Sequence, residues 1–293
     1  MKDKSEIPFI KMHGIGNDYI YMDTVRCEAP EYLREERLPD LSRKISDRHF
    51  GVGSDGLILI LPSDHADFRM RIFNADGSEA KMCGNGIRCV GKYVYDLGLT
   101  DKKKISVDTL SGVKYLTLQV GDQGVESVSV DMGSPSFLRK EIPANGEKGE
   151  EMNDEILESG GEWFKVTGIS MGNPHGVTYC ENVDALDLPA IGRGLECHKV
   201  WPDRANIEFV EIINRNEIKL RVWERGSEET MACGTGACAA VVASFRKGLT
   251  ESDVTVHLRG GDLHISYDAE KNKVRMTGPA AFVAKGWFLG SVQ

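Results

Sequence analysis

The chain has 293 residues, of which 41% are hydrophobic and 8% aromatic, and its formal net charge is −9. This length predicts two domains with real hydrophobic cores, and the negative charge argues against nucleic-acid binding, which normally requires a basic face. The sequence contains no apolar run of membrane-spanning length, and its N-terminus lacks the apolar segment of a secretory signal. We therefore expect a cytoplasmic protein whose cysteines, odd in number, are free thiols.

Taken in chain order, the predicted elements follow a similar sequence in each half. A Gly-Asn segment leads into a strand, two strands follow, a Cys-Gly-x-Gly turn precedes a helix, and alternating strands close the half. The segments of the first half are residues 16–21, 56–61, 68–73, 89–95, 105–107, 114–120 and 125–131. Those of the second half are residues 172–177, 207–213, 217–223, 237–245, 254–258, 262–267 and 273–277. This duplication predicts an α+β fold of two similar domains, with strands around helical cores.

Two further segments have compositions that predict surface positions. Residues 28–41 interleave arginine and glutamate, which predicts a solvated helix with Pro30 in its first turn and Pro39 at its end. Residues 139–162 are rich in glutamate, glycine and asparagine, and we expect an exposed insertion there.

The cysteine motif is the most informative feature because it occurs twice in the same context. Cys83-Gly84-Asn85-Gly86 and Cys233-Gly234-Thr235-Gly236 each lie between a predicted strand and a predicted helix. The N–H groups at a helix N-terminus favour an anion, and glycine lets the backbone approach a ligand closely. Each motif could therefore bind a carboxylate and lower the pKa of its own thiol. Two such thiols could remove a proton from one face of an α-carbon and return one to the other face without a cofactor.

The sequence favours other uses of the cysteines less. A zinc site is disfavoured because the spacings C-x5-C and C-x4-C differ from the usual C-x2-C, so no metal is predicted. A thioredoxin-like pair would need C-x-x-C, which is absent. A non-catalytic redox sensor that uses Cys83 and Cys233 is the alternative from another class of protein. The remaining cysteines are predicted to be small core residues: Cys27, Cys89, Cys180, Cys197 and Cys238.

Polar residues at strand-to-loop edges form a candidate binding set. A guanidinium together with amides suits a second carboxylate. The members of this set are Asn74, Asn173, Asn206 and Arg225. Glu224 could accept a hydrogen bond from an ammonium group, and His175 could tune a protonation state.

These residues resemble those of the diaminopimelate epimerases. The matching segments are residues 11–18, 48–55, 74–89, 171–175 and 224–239. The resemblance implies a cytoplasmic isomerase that needs neither metal nor pyridoxal phosphate. Its expected reaction interconverts LL- and meso-2,6-diaminopimelate in lysine and peptidoglycan biosynthesis, with this small molecule as its partner and a homodimer as its assembly.

The resemblance also implies the domain arrangement. The expected domains are residues 1–133, joined by the returning segment 279–293, and residues 134–278. Each is expected to be a curved, mainly antiparallel sheet or barrel around a central helix, with the active site in a cleft that closes between the two.

By resemblance, Cys83 and Cys233 are the acid/base pair, and His175 and Glu224 support catalysis. The α-carboxylate donors implied by the family are Gly84, Asn85, Gly234 and Thr235. The substrate-binding residues implied by the family are Asn17, Asn74, Asn173, Asn206, Glu224 and Arg225.

Two positions depart from the pattern of many relatives. Gly56 stands where glutamine is common, so that side-chain contact is lost or replaced. Glu228 stands where a small residue is common, and we expect its carboxylate to point to solvent. A proline or hydroxyproline racemase of the same fold is the alternative enzyme, but proline lacks the distal amino acid group that the polar set would bind.

Overall fold

A computed structural model describes residues 6–26 and 30–290 of the chain. The chain divides into two compact units: the first runs up to Val130 and resumes at Gly278, and the second spans Asp131–Thr277. Within the described ranges, no helix is long and apolar enough to cross a membrane.

The regular elements are as follows in chain order. They are β1 (Ile7–Gly14), β2 (Asn17–Asp23), α1 (Leu38–Ser46), β3 (Gly56–Leu61), β4 (Phe68–Asn74), β5 (Glu79–Ala80), α2 (Gly84–Asp96), β6 (Lys104–Asp108), β7 (Lys114–Gly121), β8 (Gly124–Gly133), β9 (Glu155–Ser159), β10 (Glu162–Ser170), β11 (Pro174–Tyr179), α3 (Leu188–Glu196), β12 (Asn206–Asn214), β13 (Glu217–Glu224), β14 (Glu228–Glu229), α4 (Gly234–Arg246), β15 (Asp253–Leu258), β16 (Gly261–Asp268), β17 (Lys273–Gly278) and β18 (Ala281–Phe288). Short 3-10 helices occupy Glu31–Leu33, Glu35–Arg37 and Val183–Ala185.

The first unit is a mixed sheet. β1 pairs antiparallel with β18 and with β2, β2 is parallel to β3, and β3 is antiparallel to β4. β4 is parallel to β6, and β6, β7 and β8 continue antiparallel. The short β5 folds back onto β4, and α2 follows it.

The second unit repeats this order of pairings. β9, β10 and β11 are antiparallel, β11 is parallel to β12, and β12 is antiparallel to β13. β13 is parallel to β15, β15 to β17 continue antiparallel, and β14 folds back onto β13 before α4. The duplication and the α+β class predicted from the sequence are confirmed.

Each unit buries one of the two helices that follow the cysteine motifs. In α2 and in α4, small residues let the surrounding strands approach the helix closely. A Cβ atom on Gly91 would lie only 2.9 Å from Leu118 Cδ2. In α4 the alanines and valines from Ala237 to Ala243 are almost entirely buried. A helix as apolar as α4 belongs in a core, and the two buried helix starts fix the position of the cysteines.

The solvated helix predicted over residues 28–41 is wrong. Residues 28 and 29 lie outside the described part of the chain, and α1 begins only at Leu38, with Pro39 in its first turn rather than at its end. Leu38, Leu41 and Ile45 pack into the core of the first unit. The charged residues before α1 therefore form 3-10 turns that precede the helix, and the helix itself is amphipathic.

The exposed insertion predicted for residues 139–162 is confirmed for most of the segment, and residues 145–150 are all exposed. Ile142, Met152 and Leu157 belong to the hydrophobic core of the second unit, and each is at most 1% exposed. Leu157 lies on β9, which pairs with β10. The segment is thus mostly exposed, as its polar composition predicts, but these three apolar side chains lie in the core.

The predictions for the cysteines outside the paired motifs have mixed outcomes. Cys89 and Cys238 are buried, as predicted. Cys180 is half-buried and packs against the core of the second unit. Cys197 is exposed at the C-terminal end of α3, so its predicted core position is wrong. Cys27 lies outside the described residues.

Candidate active site

Cys83 and Cys233 occupy equivalent positions at the N-termini of the two buried helices. Each is the residue just before its helix and has an extended backbone. The Gly86 N–H group donates to Cys83 Sγ at 3.3 Å, and the Gly236 N–H group donates to Cys233 Sγ at 3.4 Å. Both sulfurs therefore lie at the positive end of a helix dipole, a location that stabilises a thiolate.

The last glycine of each motif allows a strand side chain to pack directly against the helix start. A Cβ atom on Gly86 would lie 2.6 Å from Ile58 Cδ1. A Cβ atom on Gly236 would lie 2.6 Å from Glu208 Oε1. Any larger residue would push these strand side chains away, so the motif needs glycine there for space.

An amide and a carboxylate surround Cys83. Its thiol donates to Asn17 Oδ1 at 3.3 Å, and Asn17 Nδ2 donates to Asp55 Oδ2 at 2.7 Å. Asp55 therefore fixes the Asn17 amide with its oxygen toward the sulfur. Burial, followed by the neighbouring Cys83, raises the pKa of Tyr19 well above its usual value, so its phenol stays protonated.

Two of the motif segments found in the sequence meet at Asp55. Arg48 donates to Asp55 Oδ1 at 2.9 Å and to Asp18 Oδ1 at 3.0 Å, and Lys11 lies 2.8 Å from Asp18 Oδ2. Burial, and then the charge of Asp18, raises the pKa of Asp55. This ionic cluster supports the residue that orients Asn17.

A longer polar chain leads to Cys233, which is 5% exposed. Thr235 Oγ1 lies 3.5 Å from Cys233 Sγ, and Asn173 Nδ2 donates to Thr235 Oγ1 at 3.4 Å. His175 Nε2 lies 3.0 Å from Asn173 Oδ1, and His175 Nδ1 lies 2.7 Å from Glu208 Oε1. Of the predicted residues, Asn173, His175, Thr235 and Cys233 are thus joined in one network.

Acidic groups bias the protonation of Cys233 toward the thiol. Burial raises the pKa of Cys233 well above its usual value, and the charges of Glu224 and Glu208 act in the same direction. The Thr235 hydroxyl and the Gly236 N–H group act against them. Burial, together with Glu208, also raises the pKa of Glu224, which accepts a 2.5 Å hydrogen bond from Thr230.

The remaining predicted residues lie near the strand ends. Asn206 is buried and its Oδ1 accepts from the Arg225 backbone N–H group at 2.8 Å. The Arg225 side chain is exposed and donates to the Asp203 carbonyl oxygen at 3.1 Å. Asn74 Nδ2 donates to Ser78 Oγ at 3.0 Å. Asn85 is buried, and its Oδ1 accepts from Arg88 Nη1 at 3.0 Å.

The two departures from the family pattern have clear structural settings. A Cβ atom on Gly56 would lie 2.2 Å from the Phe73 carbonyl oxygen, so this backbone has no room for a side chain. Glu228 is exposed, as predicted, and lies in the short hairpin after β13.

Sequence reasoning did not single out Glu208 or Asp55. Glu208 interrupts an otherwise apolar strand core, between Ile207 and Phe209, and an isolated charge in such a run is the signal that could have identified it. Asp55 lies within a segment that carried the resemblance, but its contact with Asn17 joins residues 38 positions apart.

Comparison with known families and proteins agrees with these features. A family model described as diaminopimelate epimerase matches residues 9–138 and 167–283. A diaminopimelate epimerase of Acetivibrio thermocellus is 54% identical over 278 residues, which cover 95% of this chain and 97% of that protein. One from Methanococcus maripaludis is 51% identical over 280 residues, with coverages of 95% and 98%.

Solved structures with the same fold are more distant in sequence. A phenazine biosynthesis protein of the PhzF family from Bacillus anthracis has a TM-score of 0.68 at 19% identity, covering 96% of this chain and 98% of that one. A hydroxyproline epimerase from Agrobacterium vitis has a TM-score of 0.66 at 15% identity, with coverages of 96% and 90%. At these identities the likeness concerns the fold alone.

Proposed function

Because the chain belongs to the diaminopimelate epimerase family, we propose that it interconverts LL- and meso-2,6-diaminopimelate. The observation that carries this proposal is the pair of cysteines at equivalent helix N-termini, each with a helix N–H group on its sulfur. Relatives about half identical over nearly the whole chain, and named for this reaction, support the substrate.

The proposed reaction moves one proton off the α-carbon and another onto it. One cysteine, as the thiolate, takes the α-proton, and the C–H electron pair remains on the α-carbon and delocalises into the α-carboxylate. The other cysteine donates its S–H proton to the opposite face. Each turnover thus leaves the first sulfur as a thiol and the second as a thiolate, and the reverse reaction restores both.

The surroundings of the two sulfurs suggest their resting states. The raised pKa of Cys233 favours its thiol, which makes it the proton donor of the resting enzyme. Cys83 is then the base: it first gives up the S–H proton that it donates to Asn17 here, and the N-terminus of its helix stabilises the resulting negative charge. This order concerns the resting enzyme and not the choice of stereoisomer.

An α-proton of an amino acid is only weakly acidic, so the carboxylate must be strongly stabilised in the transition state. We assign this stabilisation to the first N–H groups of α2 and α4, at Gly84 with Asn85 and at Gly234 with Thr235. The first N–H groups of a helix have no partners within the helix and point at an anion.

The distal amino acid group of the substrate needs polar partners. We assign its recognition to the set Asn17, Asn74, Asn173, Asn206, Glu224 and Arg225.

The proposed proton transfer requires neither pyridoxal phosphate nor a metal, since the thiols carry the protons and the N–H groups stabilise the negative charge on the carboxylate. A cytoplasmic homodimer in lysine and peptidoglycan biosynthesis completes the proposal, on family resemblance.

Proton NMR of LL-diaminopimelate in D2O tests the proposal. The reduced enzyme, without added metal or pyridoxal phosphate, is expected to remove the α-proton signal while the meso isomer accumulates. If neither change occurs, the substrate assignment is wrong, and L-proline and trans-4-hydroxy-L-proline are the next substrates because a structural neighbour acts on the latter. If no substrate turns over but the two thiols show a defined redox potential, the chain is a sensor.

A further inference from the structure

Glu208 is a buried carboxylate that the two-thiol reaction does not itself require. It is fully buried on β12, and its Oε1 lies 2.7 Å from His175 Nδ1. Its Oε2 has no hydrogen-bond partner among residues 6–26 and 30–290. A half-satisfied buried carboxylate costs folding free energy, so its presence needs a reason other than stability.

The equivalent position in the first unit shows that the fold does not need a carboxylate there. The parallel strand pairs set Tyr21 opposite Ile58 in the first unit and Val177 opposite Glu208 in the second. Ile58 and Glu208 both pack under the last glycine of a cysteine motif. The first unit fills this place with an apolar side chain, and only the second fills it with an acid.

The hydrogen bonds of His175 place a proton on its Nε2 atom. Asn173 uses its Nδ2 group to donate to Thr235, so its Oδ1 accepts a proton from His175 Nε2. His175 Nδ1 faces the Glu208 carboxylate. His175 Nε2 therefore carries a proton, and one further proton lies in the 2.7 Å contact between His175 Nδ1 and Glu208 Oε1.

The proton on His175 Nε2 sets the direction of every hydrogen bond between His175 and Cys233. Because the Asn173 amide donates to Thr235 Oγ1, the Thr235 hydroxyl proton is left to point toward Cys233 Sγ, 3.5 Å away. A donor at the sulfur stabilises the thiolate that Cys233 becomes after it has given up its proton. The charged groups that face this sulfur are Glu208 on β12 and Glu224 on β13.

We propose that Glu208 is a positioning residue that keeps His175 doubly protonated and so directs the Thr235 hydroxyl onto Cys233 Sγ. The role deepens the proposed function, because it acts in the acid/base cycle of Cys233. It makes no contact with the reacting carbon: it acts through His175, Asn173 and Thr235.

The test is nitrogen-15 NMR of histidine-labelled free enzyme, which needs no turnover. In the wild-type protein at neutral pH, the His175 signals are expected to show a proton on both ring nitrogens. In Glu208→Gln at the same pH, the His175 signals are expected to show a proton on only one ring nitrogen, and Glu208→Ile, which copies the first unit, is the second variant if the first does not fold. A neutral His175 in the wild type, or an unchanged His175 in a folded variant, would overturn the proposal.

Glu196→Gln is the matched control. Glu196 is a carboxylate of the same unit that is only 2% exposed, and it accepts from Trp223 Nε1 rather than from His175. Its loss is expected to lower stability while leaving the His175 signals as in the wild type. Loss of the doubly protonated His175 in this control as well would show a general effect of removing a buried charge, and would overturn the assignment to Glu208.

Kinetic measurements then test the direction of the hydrogen bonds that link Glu208 to Cys233. Glu208→Gln is expected to lower kcat about tenfold to a hundredfold, as for loss of a hydrogen bond to a charged group, with little change in KM. Thr235→Val should lower kcat similarly, and the double variant should be no worse than either, because both act through one chain. A normal kcat in Glu208→Gln, or additive losses of kcat in the double variant, would contradict the proposed role of Glu208. A wild-type enzyme that epimerises nothing would instead contradict the proposed function, and the NMR result would then decide the role of Glu208.

Discussion

The two cysteine motifs have the same backbone but different surroundings. Cys83 donates to an amide oxygen and has a phenol nearby, whereas Cys233 lies beside two carboxylates and ends a chain that contains an imidazole. The duplicated unit therefore gives both thiols the same backbone geometry. The side chains around each sulfur differ between the two units, and they set the proton affinity of each thiol separately. A two-base reaction needs this difference, since one sulfur must start as a base and the other as an acid.

The difference lies in a few equivalent positions. Strand register pairs these positions across the repeat. The equivalents are Tyr19 and His175, Ile58 and Glu208, and Asn74 and Glu224. In each case the second unit carries an imidazole or a carboxyl group where the first carries a phenol, an alkyl group or an amide. The following changes break or sharpen this contrast, from the largest expected effect to the smallest.

Removing either thiol should have the largest effect. Cys83→Ala and Cys233→Ala are each expected to lower epimerisation roughly 1,000-fold, within the range for loss of a general acid or base, while circular dichroism stays that of the folded protein. Cys238→Ala, in the interior of α4, is the matched control and should keep most of its activity. Near-normal turnover in either of the first two variants would rule out the two-base reaction.

Placing an acid in the first unit should destabilise the protein. Ile58→Glu buries a carboxylate where no histidine can meet it, and we expect a loss of about 3 kcal/mol or more in the free energy of unfolding, measured in urea. Adding Tyr19→His should recover about 1 kcal/mol by restoring the partner present in the second unit. Equal stability of Ile58→Glu and the wild type would show that the two positions do not differ as described.

Removing the charge of Glu224 should make Cys233 more acidic. Without this neighbouring carboxylate, the pKa of Cys233 is expected to fall, and a fall of about one unit would raise the thiolate fraction about tenfold below that pKa. The measurement is the pH dependence of iodoacetamide alkylation of Cys233 in the Cys83→Ala background, with Glu224→Gln added. The exposed Glu228→Gln serves as the control, and an unchanged or slower alkylation in Glu224→Gln would refute the electrostatic account.

Alkaline pH should reduce stability through the buried thiols. Burial raises the pKa of Cys89 to about 11, above the value of about 8.5 expected in the unfolded chain. The unfolded chain therefore releases this proton first, so the stabilisation is complete below about pH 8.5 and is lost as the pH rises toward 11, by up to about 1.4 kcal/mol per pH unit. Urea unfolding at several pH values should give a shallower alkaline decline for Cys89→Ala than for the wild type, and a parallel decline would contradict this. Cys197→Ala, at an exposed thiol, is the control.

Much of the fold could be predicted because it is repeated. Three features occur twice: the Cys-Gly-x-Gly turns, the strand pairs before them and the alternating strands after them. Each weak local pattern was therefore supported by its second occurrence. The parts without a clear repeat in the sequence were predicted less well. Residues 28–41 and 139–162 offer only their composition as a signal, and composition does not reveal which few apolar residues reach the core.

The residues of the candidate site also differ in how well the sequence could predict them. Cys83 and Cys233 could be found because each stands beside its own helix start in the sequence. Glu208 could not be assigned a partner, because its contact with His175 joins residues 33 positions apart on two parallel strands. The protonation of a buried acid depends on such a partner, and a sequence pattern alone does not supply it.

The most direct test of the central claim is stereospecific exchange of the α-proton. LL- and meso-diaminopimelate are incubated in D2O with Cys83→Ala and with Cys233→Ala, and each α-proton is followed by NMR. We predict that both variants lose epimerisation, and that any residual exchange affects the L centre in one variant and the D centre in the other, because each retains a single thiol. Exchange at the same centre in both variants, or epimerisation by either at the wild-type rate, would contradict the assignment of two thiols to opposite faces of one carbon.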